Sequence, residues 1–580
     1  MSATTHWVGS ATAQSVLERG GNAFDAAVAA AFVLHAVEPH LNGPGGDLIG
    51  IIAPLGRDPQ VVCGQGPAPA AATISGMRAD GIDEVPGAGA LAATVPGAVP
   101  ALLWMLERHG TWELGDCLAY AIGYLEDGHP AGPQLSRVIG AVEALFRTSW
   151  PSSADMWLLE GRAPTEGECI TNRGYAATLR RLVQESERGG DTRLTRVRAA
   201  GRIWREGFVA LEIAQFVGHP HLHSDGREHR GLLQRGDLRA FEVSSEPPLS
   251  LDFRGTTVLK PGFYTQGPVM LQALAILSHF PDDRIDPSTA IGVHTITEVL
   301  KLALADRDTY YGDAHGQDAA PLGLLDPSYS LRRAALIGDT ASLEYRPGTD
   351  VPGSPMGQVP PLQETPREPA DPTAGEPTVA RNGETRGDTC HVSVVDRWGN
   401  TVALTPSGGW LQSSPTIPAL GFCLGSRLQM TWLDERSPSA LVPGRRPRTT
   451  LSPTMLARGG QVVAGLGTPG GDQQDQWQLL YLLRTLVGGY QAQQAIDAPT
   501  FHTTAAVGSF WPRTWTPGGL VAEARLGTRV LDELERRGHL LTVSGGWTLG
   551  RLCVVTRDPA SGRVGAAANP RGAQGYAAGR

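Results

Sequence analysis

Thr389 opens the run TCHVSVVD directly after a proline- and glycine-rich stretch, and its hydroxyl is a candidate nucleophile. A threonine hydroxyl attacks poorly unless a nearby base takes its proton. If the chain were cut between Asp388 and Thr389, the freed α-amino group would be that base. Its reference pKa of about 7.7 to 8.0 leaves a useful neutral fraction near pH 7. Before such a cut the hydroxyl would first attack the Asp388 carbonyl, an N-to-O acyl shift completed by hydrolysis of the ester. Further along, GTPGGD brings Gly470 and Gly471 together in a glycine-rich run. Taken alone, the same letters read as an ordinary tight turn. His391 reads as a hydrogen-bonded core residue, and Cys390 should point to the opposite face of its strand from Thr389.

These residues need a scaffold. CHVSVVD and TVALTPS alternate as strands and are joined by a turn at Arg397 to Asn400; LIGIIAP and RLCVVTRD add further strand-like runs. Helical periodicity appears from Ala11 to Val37 with a break at Gly20-Gly21, and again over Val99 to Gly110, Cys117 to Gly128 and His294 to Asp313. This mixture implies a layered α/β architecture. The stretch from Tyr345 to Gly387 has almost no aliphatic residues, so it should be mobile and, on composition alone, reads as a linker between two domains.

With 580 residues, 41% hydrophobic and 18% charged, the chain can bury a large core. A net charge of -9 with no basic run argues against nucleic acid as a partner. The six cysteines are widely spaced, with no CxxC pair, so neither a zinc site nor a disulfide framework is expected. The N-terminus lacks a signal-peptide pattern, and the longest apolar run, AFDAAVAAAFVLHAV, is interrupted by Asp25 and His35. A cytoplasmic enzyme with no membrane anchor, metal or cofactor is the expectation.

Four stretches, in order, carry a resemblance to the gamma-glutamyltranspeptidase family. They are GGNAFDAAVAAAF with EPHLNGPGGD (Gly20 to Asp47), EVLKLALADRDTYYGD (Glu298 to Asp313), GDTCHVSVVDRWGNTVALTPSGG (Gly387 to Gly409), and PGRRPRTTLSPT with GLGTPGGDQ and AIDAPTFH (Pro443 to His502). The resemblance covers most of the chain. It implies a four-layer αββα sandwich of the N-terminal-nucleophile hydrolase type, formed by a large subunit (1–388, with 345–388 mobile) and a small subunit (389–580). It also implies self-cleavage between Asp388 and Thr389, Ser407 orienting Thr389, and an oxyanion hole from the Gly470 and Gly471 N–H groups. The two pieces would remain together as a heterodimer, with pairing of heterodimers left open.

The departures from the family pattern bear on the substrate. Gln65 stands where glutamyl-transferring members have an arginine that clamps the substrate carboxylate, and Thr449 and Thr450 replace a serine pair. Gly409 replaces an asparagine, Met430 replaces the acid that receives the substrate ammonium, and Arg427 replaces a neutral amide. Rejecting an unpaired buried charge discriminates strongly. The expected function is therefore hydrolysis or transfer through an acyl-Thr389 intermediate on a small amide or related acyl substrate other than glutathione. The alternatives are a true gamma-glutamyl transferase, or a natural-product enzyme hydrolysing a carbon-carbon bond beside a carbonyl. Arg427 is expected to read a substrate carboxylate or keto acid through paired hydrogen bonds, against the alternative of a structural ion pair.

Overall fold

The computed structural model describes residues 1–313, 320–364 and 389–579. The alanine-rich helix Ala23–Val37 is buried along its whole length, and the capping box of Asn22 and Asp25 closes its N-terminus. It has no polar stripe because it lies between a sheet and outer helices. Gly20, at φ 92°, and Gly21 separate it from helix Trp7–Glu18, the break expected from the sequence. With helices Ala98–His109 and Leu114–Asp127 it forms an outer layer over the first sheet.

That sheet has seven antiparallel strands in the order Tyr576–Ala578, Ser2–Thr4, Val392–Val395, Thr401–Ser407, Asp47–Ala53, Gln60–Gly64, Ser244–Glu246. A second, six-stranded sheet runs Val564–Ala568, Cys553–Arg557, Gln461–Gly467, Thr454–Arg458, Thr256–Lys260, Leu249–Phe253. Ile49, Ile51, Ala403, Leu259 and Met455 pack between the two sheets, and Val395 with Cys553 and Val555 continues that layer. Helices Pro268–Leu277, Ala290–Tyr310 and Gln474–Leu486 cover the far face of the second sheet. The protein is a four-layer αββα sandwich.

Both sheets mix strands from before and after Thr389: three of seven in the first sheet and four of six in the second come after it. The reading of two domains joined by a linker therefore falls, since neither half closes a sheet alone. A second correction concerns the region expected to be mobile from residue 345 onward. Residues 345–364 are fastened to the body. The Gly348 N–H donates to Asp306 Oδ1 at 2.6 Å, Tyr345 Oη donates to Asp308 Oδ2 at 3.3 Å, and Gln363–Glu364 pairs in parallel with Thr514–Trp515. Composition missed this because these anchors are backbone and polar groups, which need few aliphatic side chains. The rest of the expected mobile stretch, including Asp388, lies outside the described residues. No helix among the described residues is long and apolar enough to cross a membrane.

Candidate active site

The hairpin that carries Thr389 is held at its turn by one carboxylate. Asp396 Oδ1 accepts from the N–H groups of Trp398, Gly399 and Asn400 at 3.0, 2.9 and 3.0 Å. Its other oxygen accepts from the Ala23 N–H at 3.0 Å and so ties the hairpin to the start of the buried helix. Side chains alternate along the first strand. Cys390 points into the helix layer, where its thiol donates to Glu38 Oε2 at 3.0 Å. His391 is buried, 3.1 Å from Thr405 Oγ1 and 2.7 Å from Ser393 Oγ, and desolvation pushes its pKa down to about 3. It is a neutral core residue, as its strand context suggests.

Thr389 is 1% exposed and pairs across the hairpin with Ser407. Its hydroxyl donates to Ser407 Oγ at 3.3 Å and accepts from Gln474 Nε2 at 3.5 Å. Ser407 also accepts from Arg427 Nη2 at 3.2 Å. Arg427 does not stand free to read a ligand. Its Nε and Nη2 form a fork on Asp47 at 2.7 and 2.9 Å, and Nη1 faces Met430 Sδ at 3.5 Å. Asp47 sits opposite Ser407 in the next strand, so the ion pair lies directly behind that serine. Burial pushes the Asp47 carboxyl up, against the pull of Arg427. The structural ion pair, weighed as the alternative for Arg427, is the arrangement present.

The loop before Asp47 explains its glycines by contact: a Cβ on Gly46 would run into the carbonyl of Ser407. Gly470, at φ 119°, and Gly471, at φ 53°, follow strand Gln461–Gly467 and lead through one tight turn into helix Gln474–Leu486. A side chain on Gly470 would strike the Trp477 ring. Their N–H groups therefore belong to a helix N-terminus, a place suited to negative charge.

Gln474 is the first residue of that helix, and the sequence alone does not single it out. Its Oε1 accepts from the Ser452 N–H at 3.1 Å, which turns Nε2 toward Thr389. Ser452 is fixed in turn: its hydroxyl donates to Asp475 at 2.6 Å, and Asp475 pairs with the fully buried Lys260 at 2.8 Å. Burial lowers the Lys260 pKa and raises that of Asp475, each partly offset by its partner.

Gln65, Thr449 and Thr450 are all buried. Thr449 serves the local backbone, its Oγ1 accepting from the Leu451 N–H at 3.3 Å. Gln65 Oε1 and Thr450 Oγ1 have no hydrogen-bond partner among the described residues, a condition that suits polar atoms meant for a ligand. One group of metal-ligand types occurs among the described residues: His294, Glu298 and His539, with ligand atoms within 4.8 Å of one another. Lys301 at 2.5 Å and Arg346 at 3.0 Å already neutralise Glu298, so this set is poorly suited to a cation.

Two stacked antiparallel sheets between helical layers, with a buried threonine hydroxyl at the head of an inner strand, define the N-terminal-nucleophile hydrolase class. The gamma-glutamyltranspeptidase family model matches residues 9–579, and the chain belongs to that family. It is 29% identical over 592 residues to the oxamate amidohydrolase proenzyme of Klebsiella pneumoniae, covering 100% of this chain and 98% of that protein. The glutathione hydrolase-like YwrD proenzyme of Bacillus subtilis is 28% identical over 586 residues, covering 99% and 97%. The solved structure of LmbA2991HD superposes with a TM-score of 0.93 at 47% identity, over 100% of this chain and 98% of that one. The cephalosporin acylase from Bacillus halodurans gives 0.81 at 26% identity, over 99% and 94%. The protein is thus an N-terminal-nucleophile hydrolase of the gamma-glutamyltranspeptidase family.

Proposed function

We propose that Thr389 is the nucleophile, freed by self-cleavage after Asp388, and that the enzyme hydrolyses a small non-glutathione amide or related acyl compound. The observation that carries this reading is the Thr389 hydroxyl held between Ser407 and Gln474. In the mature enzyme the Thr389 α-amino group takes the hydroxyl proton as Oγ1 attacks the acyl carbon. The tetrahedral oxyanion is received by the Gly470 and Gly471 N–H groups, and the amine leaves with the proton held by the α-amino group. Water then attacks the acyl ester, delivering its proton through the same amine, and the acid departs. Arg427 and Asp47 act behind Ser407, fixing the oxygen that orients the nucleophile. Gln474 donates to Oγ1 as negative charge develops on it.

Two observations favour a substrate other than glutathione. Met430 packs with Trp410 and Phe510 in a small apolar cluster, unsuited to a substrate ammonium. Gly409, at φ 64°, leaves no room for the family's asparagine, because an added Cβ would come within 2.7 Å of the Gly46 nitrogen. Relatives named for oxamate and for acylase activity agree with this direction. The proenzyme names of the relatives support a processed heterodimer of residues 1–388 and 389–580.

The test is intact mass of the purified protein, with Thr389→Ala alongside. Wild type should give two masses that co-elute on gel filtration, and the variant should remain one inactive chain. Turnover of substrate by a chain that is entirely uncut would overturn the reading.

A further inference from the structure

The loop 507–516 is pinned between the glycine turn and the turn that carries Arg427. The Ser509 N–H donates to Asp472 Oδ2 at 2.8 Å, next to Gly471, and the Trp511 N–H donates to Gln429 Oε1 at 3.0 Å. Beneath it lies a cavity of about 170 Å³, lined by Asp472, Gln473, Gln476, Thr503, Phe510 and Arg513 among others.

Four arginines are buried around this region, and three have anions. Arg307 holds Asp308 and Asp472, Arg427 holds Asp47, and Arg448 lies 3.6 Å from Asp308. Arg513, only 4% exposed, has no carboxylate within 4.0 Å among the described residues. Its guanidinium lies over the Trp432 ring at 3.9 Å, with Nη2 donating to the carbonyls of Gln429 and Thr431. Its Nε and Nη1 donate to nothing among the described residues, and neither is a fully enclosed atom. The residue also has φ 60°, the left-handed region that a side chain other than glycine rarely adopts. Such strain persists where the surroundings enforce it, and it collects at ligand sites. Desolvation lowers its pKa to about 10; Glu84, beyond ion-pair distance, and Asp308 pull it back up only in part, and Arg448 adds repulsion. The cavity's own carboxylate cannot answer it, because Asp472 is taken by Arg307 and Ser509.

We propose that this cavity is a carboxylate subsite, in which Arg513 binds the anionic end of a short acyl substrate. A guanidinium fork is matched to a carboxylate, and Phe510 offers an apolar wall to a short methylene chain. The volume admits an acid of only a few carbons. The inference rests on the acyl-Thr389 reading only in saying which molecule enters; the charge argument for the site stands by itself. The role expected of Arg427 thus passes to a different arginine.

Calorimetric titration of the purified protein with glutarate, oxamate, neutral glutaramide and inorganic phosphate tests this, with the cleavage state read by intact mass. Wild type should bind the carboxylates at least tenfold more tightly than glutaramide. Arg513→Met should lose at least tenfold in carboxylate affinity with cleavage unchanged. Arg513→Lys, which keeps the charge and much of the packing over Trp432, should fall between them and keeps the test valid if the methionine variant misfolds. Equal carboxylate affinity in wild type and both variants, no carboxylate binding at all, or binding of phosphate alone would overturn the proposal. The two readings fail separately. Arg513-dependent binding by a chain that never cuts before Thr389 removes the nucleophile assignment alone, whereas a cut, active enzyme indifferent to Arg513 removes the subsite alone.

Discussion

Replacing Gln474 by glutamate removes a donor to Thr389 Oγ1, the proposed nucleophile, while keeping the rest of the local geometry. The side chain is fully buried, and its Oε1 anchors on the Ser452 N–H at 3.1 Å, an acceptor role that a carboxylate retains. What is lost is the Nε2 donor, 3.5 Å from Thr389 Oγ1. A hydrogen bond to a charged group contributes about 1.5 to 3 kcal/mol. At 3.5 Å the contact is weak in the ground state and strengthens as Oγ1 gains charge, so most of that energy falls on the barrier. At about 1.36 kcal/mol per decade this is a slowing of roughly 10- to 100-fold. The reaction to follow is self-cleavage, which needs no knowledge of the substrate: newly synthesised chain is sampled over time on a denaturing gel at several pH values. Because a protonated carboxyl can donate where a carboxylate cannot, the ratio of variant to wild-type rate should rise as pH falls. Gln474→Leu should be slow at every pH and less stable as well, because it also leaves the Ser452 N–H unsatisfied. A Gln474→Glu protein that cleaves at the wild-type rate across the pH range would refute the role given to Gln474.

Arg427→Leu leaves Asp47 buried without its partner, so it should cost about 3 to 5 kcal/mol of stability and impair self-cleavage through Ser407, read by thermal melting and gel. Lys260→Met should destabilise by a similar amount through Asp475, with part of the loss recovered in Lys260→Met/Asp475→Leu. His35, His391 and His539 have folded pKa values lowered from 6.5 to about 3 by burial, so the unfolded chain binds protons that the folded chain refuses. Their contribution is full above the unfolded value and is lost as pH falls from 6.5 toward 3, and His391→Asn should remove about 1.4 kcal/mol per pH unit from that slope in denaturant titrations. A slope identical to wild type would mean that His391 is already protonated in the fold.

Much of the frame could be read from the letters alone. The alternation on either side of Arg397 marks the hairpin, and the Gly20-Gly21 break divides the first two helices. The pairings that decide chemistry were not legible, because they join residues far apart in sequence. Asp47 and Arg427 are separated by 380 positions, so Arg427 looked like an unpaired cation. Gln474 lies in a run of amides in which only the Ser452 N–H distinguishes the one that faces the nucleophile. The segment 345–364 misled because composition registers aliphatic content but is blind to backbone groups that find partners.

The first sheet places strands from the two ends of this chain next to each other, with Ser2 opposite Ala578, and the Ser2–Thr4 strand lies beside the strand that follows Thr389. The first and last described strands are thus neighbours, and the cut proposed before Thr389 would fall at the head of the strand beside the first of them. Joining residue 580 to residue 1 with a short peptide and beginning translation at Thr389 would give a circular permutant with the same strand neighbours. After removal of the initiator methionine it would carry a free threonine amine from birth. Maturation could then be separated from catalysis by genetic rearrangement alone, without touching a side chain of the site.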